Sequence, residues 1–323
     1  MSLFEVSGLR VEIARDLAIH EVVSGVEFAV DEGETLALVG ESGSGKSLIA
    51  LGSVDLLPAG ARVAGGTTRF QGSTLQDLED ADWRSLVGMG IGVLFQDAIG
   101  AWDPIDLIGE QSGEALEEHR GLTGEELQRR VLESLGRVKL PKRRSFSSFV
   151  HEMSRGQAQR AMLAAALLSE PSLLIADEPL SGLDVTVGRA VLDLIEDMRR
   201  EMGMAMILVT HDLGVVASVA DRVAVVYGGM IVEEAPAGLL YRTPRHPYAS
   251  GLLRSVPGLG PRRLEPIPGD TPDLWEIGEG CPFAPRCGYA VSECLGSKPQ
   301  PRWVEGSKVA CVRAEELQLP GIA

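Results

Sequence analysis

The chain has 323 residues, 45% hydrophobic and only 5% aromatic, enough aliphatic side chains for one large domain or a main domain with an appendage. Its formal net charge of −16 argues against a nucleic-acid footprint, which needs clustered Lys and Arg. No apolar run reaches the length of a membrane span, and the start MSLFEVSGLRVEI lacks the basic-then-apolar order of an export signal, so a cytoplasmic chain is expected.

Residues 2–39 alternate as strands do and end in the buried-strand run TLALV. A glycine-rich turn fills 40–47, and 48–57 has the pattern of a helix. From about 105 to 140 the pattern is helical and charged, which predicts a helical subdomain running to about 170. Its last helix is the Ala/Leu-rich stretch 158–168, with Ser154 as N-cap and Gln157, three residues on, completing a capping box. Residues 172–235 return to alternation: SLLIAD, a helix through Arg200, MAMILVT, a short helix, and DRVAVVY. Such alternation predicts an α/β fold with a mostly parallel sheet. After Ala235 the composition shifts toward Pro and Gly, so 1–235 is expected as the main domain and 236–323 as a C-terminal extension.

The segment GESGSGKS, which is Gly40, Glu41, Ser42, Gly43, Ser44, Gly45, Lys46 and Ser47, fits G-x-x-x-x-G-K-S. Glycines at that spacing let backbone N–H groups curl around phosphate oxygens, Lys46 reaches the outer phosphates, and the Ser47 hydroxyl binds Mg²⁺. The helix that follows aims its positive end at the same anion. Downstream, LLIADEP at 173–179 is a buried strand that delivers Asp177 and Glu178 at its C-terminal edge, where open α/β sheets bind ligands. There Asp177 is suited to hold Mg²⁺ and Glu178 to act as general base on a water. Alone, the pair is as readily two solvated carboxylates; a phosphate loop upstream favours the catalytic reading.

With SGLD at 181–184 and VTHD at 209–212, these motifs resemble, in order and spacing, those of ABC-transporter ATPase subunits. The resemblance implies an ABC-type P-loop nucleotide-binding domain with a helical subdomain, using ATP and Mg²⁺. It implies that His211 contacts the γ-phosphate and that Gln96, in LFQD at 94–97, reaches Mg²⁺ and the attacking water. It also implies that Asp184 links two ATP sites across a dimer. MSRGQ at 153–157 stands where the family has its LSGGQ signature, which closes over ATP held by the opposite subunit. Ser154, Gly156 and Gln157 keep its hydroxyl, its close backbone approach and its cap, while Arg155 replaces a glycine and is expected to point outward. The family stacks adenine on an aromatic side chain after the first strand; LRVEIARDLAIHEV offers only Ile13 or His20 there.

TPRHPYASGLLRSVPGL at 243–259, then IPGDTPDL and GCPFAPRC, look like the C-terminal extension of ATPases that power oligopeptide, dipeptide and nickel importers. The expectation is import of peptides or related solutes from the cytoplasmic face of the membrane. The expected partners are a second related ATPase, two permease subunits and an extracytoplasmic binding protein, with no nucleic acid. The HPY segment itself is expected to be structural. A soluble ABC ATPase of DNA repair or translation is the alternative, disfavoured by a single cassette and no sustained heptads; an exporter ATPase is disfavoured by the extension.

All four cysteines, Cys281, Cys287, Cys294 and Cys311, lie in that extension, in a segment with few apolar residues to stabilise it. One metal centre is expected, zinc or [4Fe–4S], against four reduced thiols packed in a small subdomain. The spacing leaves the metal open; the family resemblance favours iron–sulfur and a structural role.

Overall fold

The computed structural model describes residues 2–256 and 265–322, so the end of the 243–259 segment lies outside the described residues. The chain forms two compact units.

One unit comprises Ser2–Val30, Thr35–Ser73 and the described part of 209–323. The alternation near the N-terminus folds as an antiparallel sheet in which Ser2–Arg15 lies between Ala18–Asp31 and Ala61–Phe70. Phe4 stands opposite Phe70 and Val11 opposite Val63. Leu3, Phe4, Val6, Leu9 and Val11 are buried; Phe4/Val6 and Leu9/Val11 each keep a period of two, and the phase changes at the register shift between Ser7 and Arg10. A second sheet places Thr35–Val39 parallel to Arg222–Tyr227, with Leu38 level with Ala224. Met230–Pro236 returns antiparallel through a tight turn at Gly228 and Gly229, and Ser307–Val309 and Arg302–Val304 extend the same sheet.

That last pairing differs from an extension that begins at 236. The strand Met230–Pro236 would be a bare edge if the chain stopped there, and Ser307–Val309 covers it. The extension also completes the core: Val39, Val225 and Tyr227 pack in one cluster with Tyr248, Leu253 and Phe283. It is built into the unit that carries the glycine-rich turn.

The other unit comprises Asp31–Glu34 and Thr74–Leu208. Ile91–Leu94 runs parallel to Leu173–Asp177, with Leu94 level with Ala176, and Ala205–Thr210 lies on the other side. Helices Ile108–Arg120, Gly124–Arg137, Lys142–Phe146 and Arg155–Leu167 fill the predicted helical stretch, and Asp80–Gly90 precedes it. Arg155–Leu167 is apolar from Ala161 onward and packs against Ile108–Arg120, Gly124–Arg137 and Val185–Met202 at once. Its buried Ala164 carbonyl accepts from Ser134 Oγ at 2.7 Å. Val185–Met202 buries Val191, Leu192 and Ile195, while its Arg199 donates to the Gly33 carbonyl at 2.6 Å. Among the described residues no helix is long and apolar enough to cross a membrane.

Candidate active site

The buried strand Thr35–Val39 ends at Gly40, where the chain turns through 40–47 into the short helix Lys46–Gly52, which stops before the predicted residue 57. A Cβ at Gly40 would collide with the Val226 carbonyl, and Gly45 holds φ of +101° with Gly229 Cα 3.2 Å from where its Cβ would stand. Only glycine lets this loop close so tightly. Lys46 is 4% exposed, and its ammonium donates to the carbonyls of Gly40 at 3.1 Å and Glu41 at 2.9 Å. Ser44 is fully buried, yet among the described residues its hydroxyl has no hydrogen-bond partner. A buried unpaired hydroxyl is costly unless a ligand completes it, so the cradle fits a phosphate group. In the same unit, Asp212 caps the helix Leu213–Val219 by accepting from Gly214 N at 2.8 Å, and leaves His211 exposed at its head.

The other unit carries the carboxylates. Asp177 is buried at the end of Leu173–Asp177. The next residue, Glu178, takes φ of +44°, a conformation that non-glycine residues rarely adopt, as the chain swings into the turn closed by Ser181 N on the Glu178 carbonyl. Its Oε2 lies 3.4 Å from Gln96 Nε2, so Gln96 and Glu178 are brought together.

The signature stretch starts a helix as its residues demand. Ser154 Oγ accepts from Gln157 N at 3.3 Å, and Gln157 Oε1 accepts from Ser154 N at 2.9 Å, a reciprocal capping box. Asp184 caps Val185–Met202 in the same manner, accepting from Thr186 N and Val187 N at 3.1 and 3.0 Å. Gly156 has a packing reason beyond the one read from sequence: a Cβ there would stand 2.7 Å from Val187 Cγ1. Arg155 is exposed, as expected. It lines a groove of about 250 Å³ with Gln96, Asp97, Gln159, Ser181 and Leu183. Asp97 is held below the usual carboxylate range by the amides of Gly100 and Ile99, with the Arg155 charge adding to them.

Residues 13–20 hold no Phe, Tyr or Trp, but the extension supplies an aromatic ring close by. The Arg15 guanidinium lies 3.7 Å over the Trp275 ring, beside a cavity of about 650 Å³ lined by Ile19, His20, Leu274 and Trp275.

Cys281, Cys287, Cys294 and Cys311 all line one small cavity of about 20 Å³. Burial pushes the Cys281 thiol up to about 11 and those of Cys287 and Cys311 upward as well. Among the described residues, however, no group of three or more His, Cys, Asp or Glu could hold a metal ion. The expected centre, zinc or [4Fe–4S], is thus not seen among the described residues: the four cysteines are free and share a cavity.

Residues 23–181 match the model of the ABC transporter family, and 232–294 match that of the oligopeptide/dipeptide transporter C-terminal region. The oligopeptide transport ATP-binding protein OppD of Mycobacterium tuberculosis is 43% identical over 97% of this chain, which spans only 52% of that relative's length. A peptide import ATP-binding protein of Brucella ovis is 41% identical over 98% of both chains. Among solved structures, the dimeric ATP-binding cassette MJ0796 in a post-hydrolysis state with ADP and Pi superposes with a TM-score of 0.64 at 26% identity, covering 72% of this chain and 98% of that one. Fold and loop together thus define the class, an ATP-binding cassette. The chain belongs to the ABC transporter family, among its oligopeptide/dipeptide-type ATP-binding proteins.

Proposed function

We propose that this chain binds and hydrolyses ATP to power the import of peptides through a membrane permease. The observation that carries the nucleotide reading is the closed 40–47 loop with the buried, unpartnered Ser44 hydroxyl and the Lys46 ammonium beside it. Lys46 offsets phosphate charge. Glu178 takes the proton of the attacking water, and Gln96, within reach of it, orients that water. Mg²⁺ neutralises the developing charge when bound; its proposed ligands are Ser47, Gln96 and Asp177, read from motif order. His211 touches the γ-phosphate, and Ser154, Gly156 and Gln157 serve the nucleotide of a second ATPase subunit, to which Asp184 also turns.

Peptide import is supported by the C-terminal region and by the relatives' names. The proposed assembly has a second related ATPase, two permease subunits and an extracytoplasmic binding protein, with this chain peripheral on the cytoplasmic face. Reconstitution of that assembly in liposomes tests the reading: labelled peptide should accumulate only with ATP and the binding protein. Full ATP turnover by the chain without any permease, and no uptake with one, would point to a soluble role.

For the cysteines we propose a [4Fe–4S] cluster of structural role. All four line one cavity, and a cluster spaces its thiolates more widely than a single ion does. Anaerobically purified protein should then be brown, with about four irons per chain. Stoichiometric zinc would replace that assignment, and metal-free protein with four titratable thiols would end it.

A further inference from the structure

Glu41, the second residue of the phosphate loop, is gripped at every polar group it has. Its carboxylate takes a forked pair from Arg286, Nη1 to Oε2 at 2.6 Å and Nη2 to Oε1 at 3.1 Å, plus the Thr271 hydroxyl at 3.0 Å. Its N–H donates to the Tyr248 hydroxyl at 2.7 Å, and its carbonyl accepts from Lys46 at 2.9 Å. Three of these four partners come from the C-terminal extension.

Arg286 is itself locked. Its Nε donates to the Pro268 carbonyl at 2.8 Å, Nη2 to the Gly269 carbonyl at 3.0 Å and Nη1 to the Tyr227 hydroxyl at 3.1 Å. Only 6% of the side chain is exposed. It sits one residue before Cys287, on the loop whose Phe283 packs 5.3 Å from the Tyr248 ring. A carboxylate inside a phosphate loop would repel the ligand; a fixed bidentate guanidinium cancels that charge and pins the backbone that carries it.

We propose that Arg286 is a positioning residue for nucleotide binding: it neutralises and anchors Glu41, making the phosphate cradle depend on the cysteine-bearing loop. This rests on the reading of 40–47 as an ATP site. Losing Arg286 leaves Glu41 charged and loose beside the phosphates. Losing both removes the stray charge, so the double variant should bind ATP better than the single one.

The test is calorimetric titration of the purified full-length chain with MgATP, for Arg286→Ala, Glu41→Gln, their combination, Arg286→Lys and Lys46→Ala. Arg286→Ala should raise Kd about tenfold, and added salt should shrink that loss because part of it is Coulombic repulsion. The double variant should recover part of the loss, and Arg286→Lys, which keeps charge without the fork, should fall between. A merely structural role would instead lower the melting temperature and make the two losses multiply. Lys46→Ala separates the two readings. If it binds ATP normally, the nucleotide reading fails. If it weakens binding while Arg286→Ala stays within twofold of wild type, or if the losses multiply, the inference is overturned. Should Arg286→Ala not fold, Arg286→Lys with Glu41→Gln carries the same cycle with smaller shifts.

Discussion

Arg155 lies over Gly182: its Nη1 stands 2.5 Å from where a Cβ at residue 182 would begin. The arginine that departs from the signature pattern is thus laid across the SGLD turn of its own chain, beside Asp97. Gly182 also holds φ of +70°, so a side chain there meets both backbone strain and the guanidinium. Gly182→Ala should cost about 1–2 kcal/mol of stability from the backbone alone, plus a contact penalty. Adding Arg155→Gly should recover only the contact part, and Arg155→Gly by itself should leave transport within a few-fold of wild type. Melting curves and uptake in the assembled transporter check both; equal losses in Gly182→Ala with and without Arg155 would show that the contact carries no energy.

Glu178→Gln removes the proposed base and keeps its shape. Hydrolysis in the assembled transporter should slow by about 10²–10⁴-fold with ATP binding retained. The partner subunit's base must be removed in parallel, since a second site can turn over alone. Normal turnover in that doubly altered complex would exclude the role.

His246 is fully buried, and burial pushes it down to about 3 from 6.5. Its Nδ1 accepts from Tyr248 N at 3.1 Å, which caps Pro247–Arg254. Below pH 6.5 the unfolded chain binds a proton that the folded chain refuses, so this contribution is complete above 6.5 and lost as pH falls toward 3. The loss is roughly 1.4 kcal/mol per pH unit within that window. Glu233 accepts from His246 N at 2.7 Å; burial pushes it up to about 7, so it acts in the opposite direction between 4.5 and 7. His246→Asn keeps a capping oxygen and has no such proton. Its stability should therefore fall less steeply with acid than wild type, measured by urea melts from pH 7 to 4; parallel curves would acquit the histidine.

Trp275 is expected to supply the aromatic surface that residues 13–20 lack. Trp275→Ala should raise the Kd for ATP several-fold and shrink the preference for ATP over GTP, because stacking contributes about 1–3 kcal/mol per base. Unchanged selectivity in a folded variant would place the base elsewhere.

Features set by local spacing were legible in the sequence. The phosphate loop, the buried strand ending in Asp177 and the Ser154/Gln157 capping box each follow from residues within one turn or strand, and each forms as its pattern demands. Contacts between distant segments were not. Nothing near HPY announces that the Tyr248 hydroxyl meets Glu41 N, which reaches past the expected structural role, and nothing near GCPFAPRC announces Arg286 on the Glu41 carboxylate. The contact of Arg155 with Gly182 and the tight fit of Gly156 against Val187 depend on segments that only the packed helix starts bring near. The cysteines converge on one cavity, yet their spacing said nothing of how far apart the sulfurs stand.

The grip on Glu41 also sets an order in time. Tyr248 lies 207 positions after Glu41 and Arg286 245 positions after it. At ribosomal speeds of about 5–20 residues per second, Arg286 is made roughly 12–50 s after the loop it clamps. Through that interval the nascent chain carries GESGSGKS without its guanidinium and with the Glu41 charge bare. If Arg286 positions the cradle as proposed, full-affinity nucleotide binding comes late in synthesis, once residues through 286 have emerged and folded back onto Glu41.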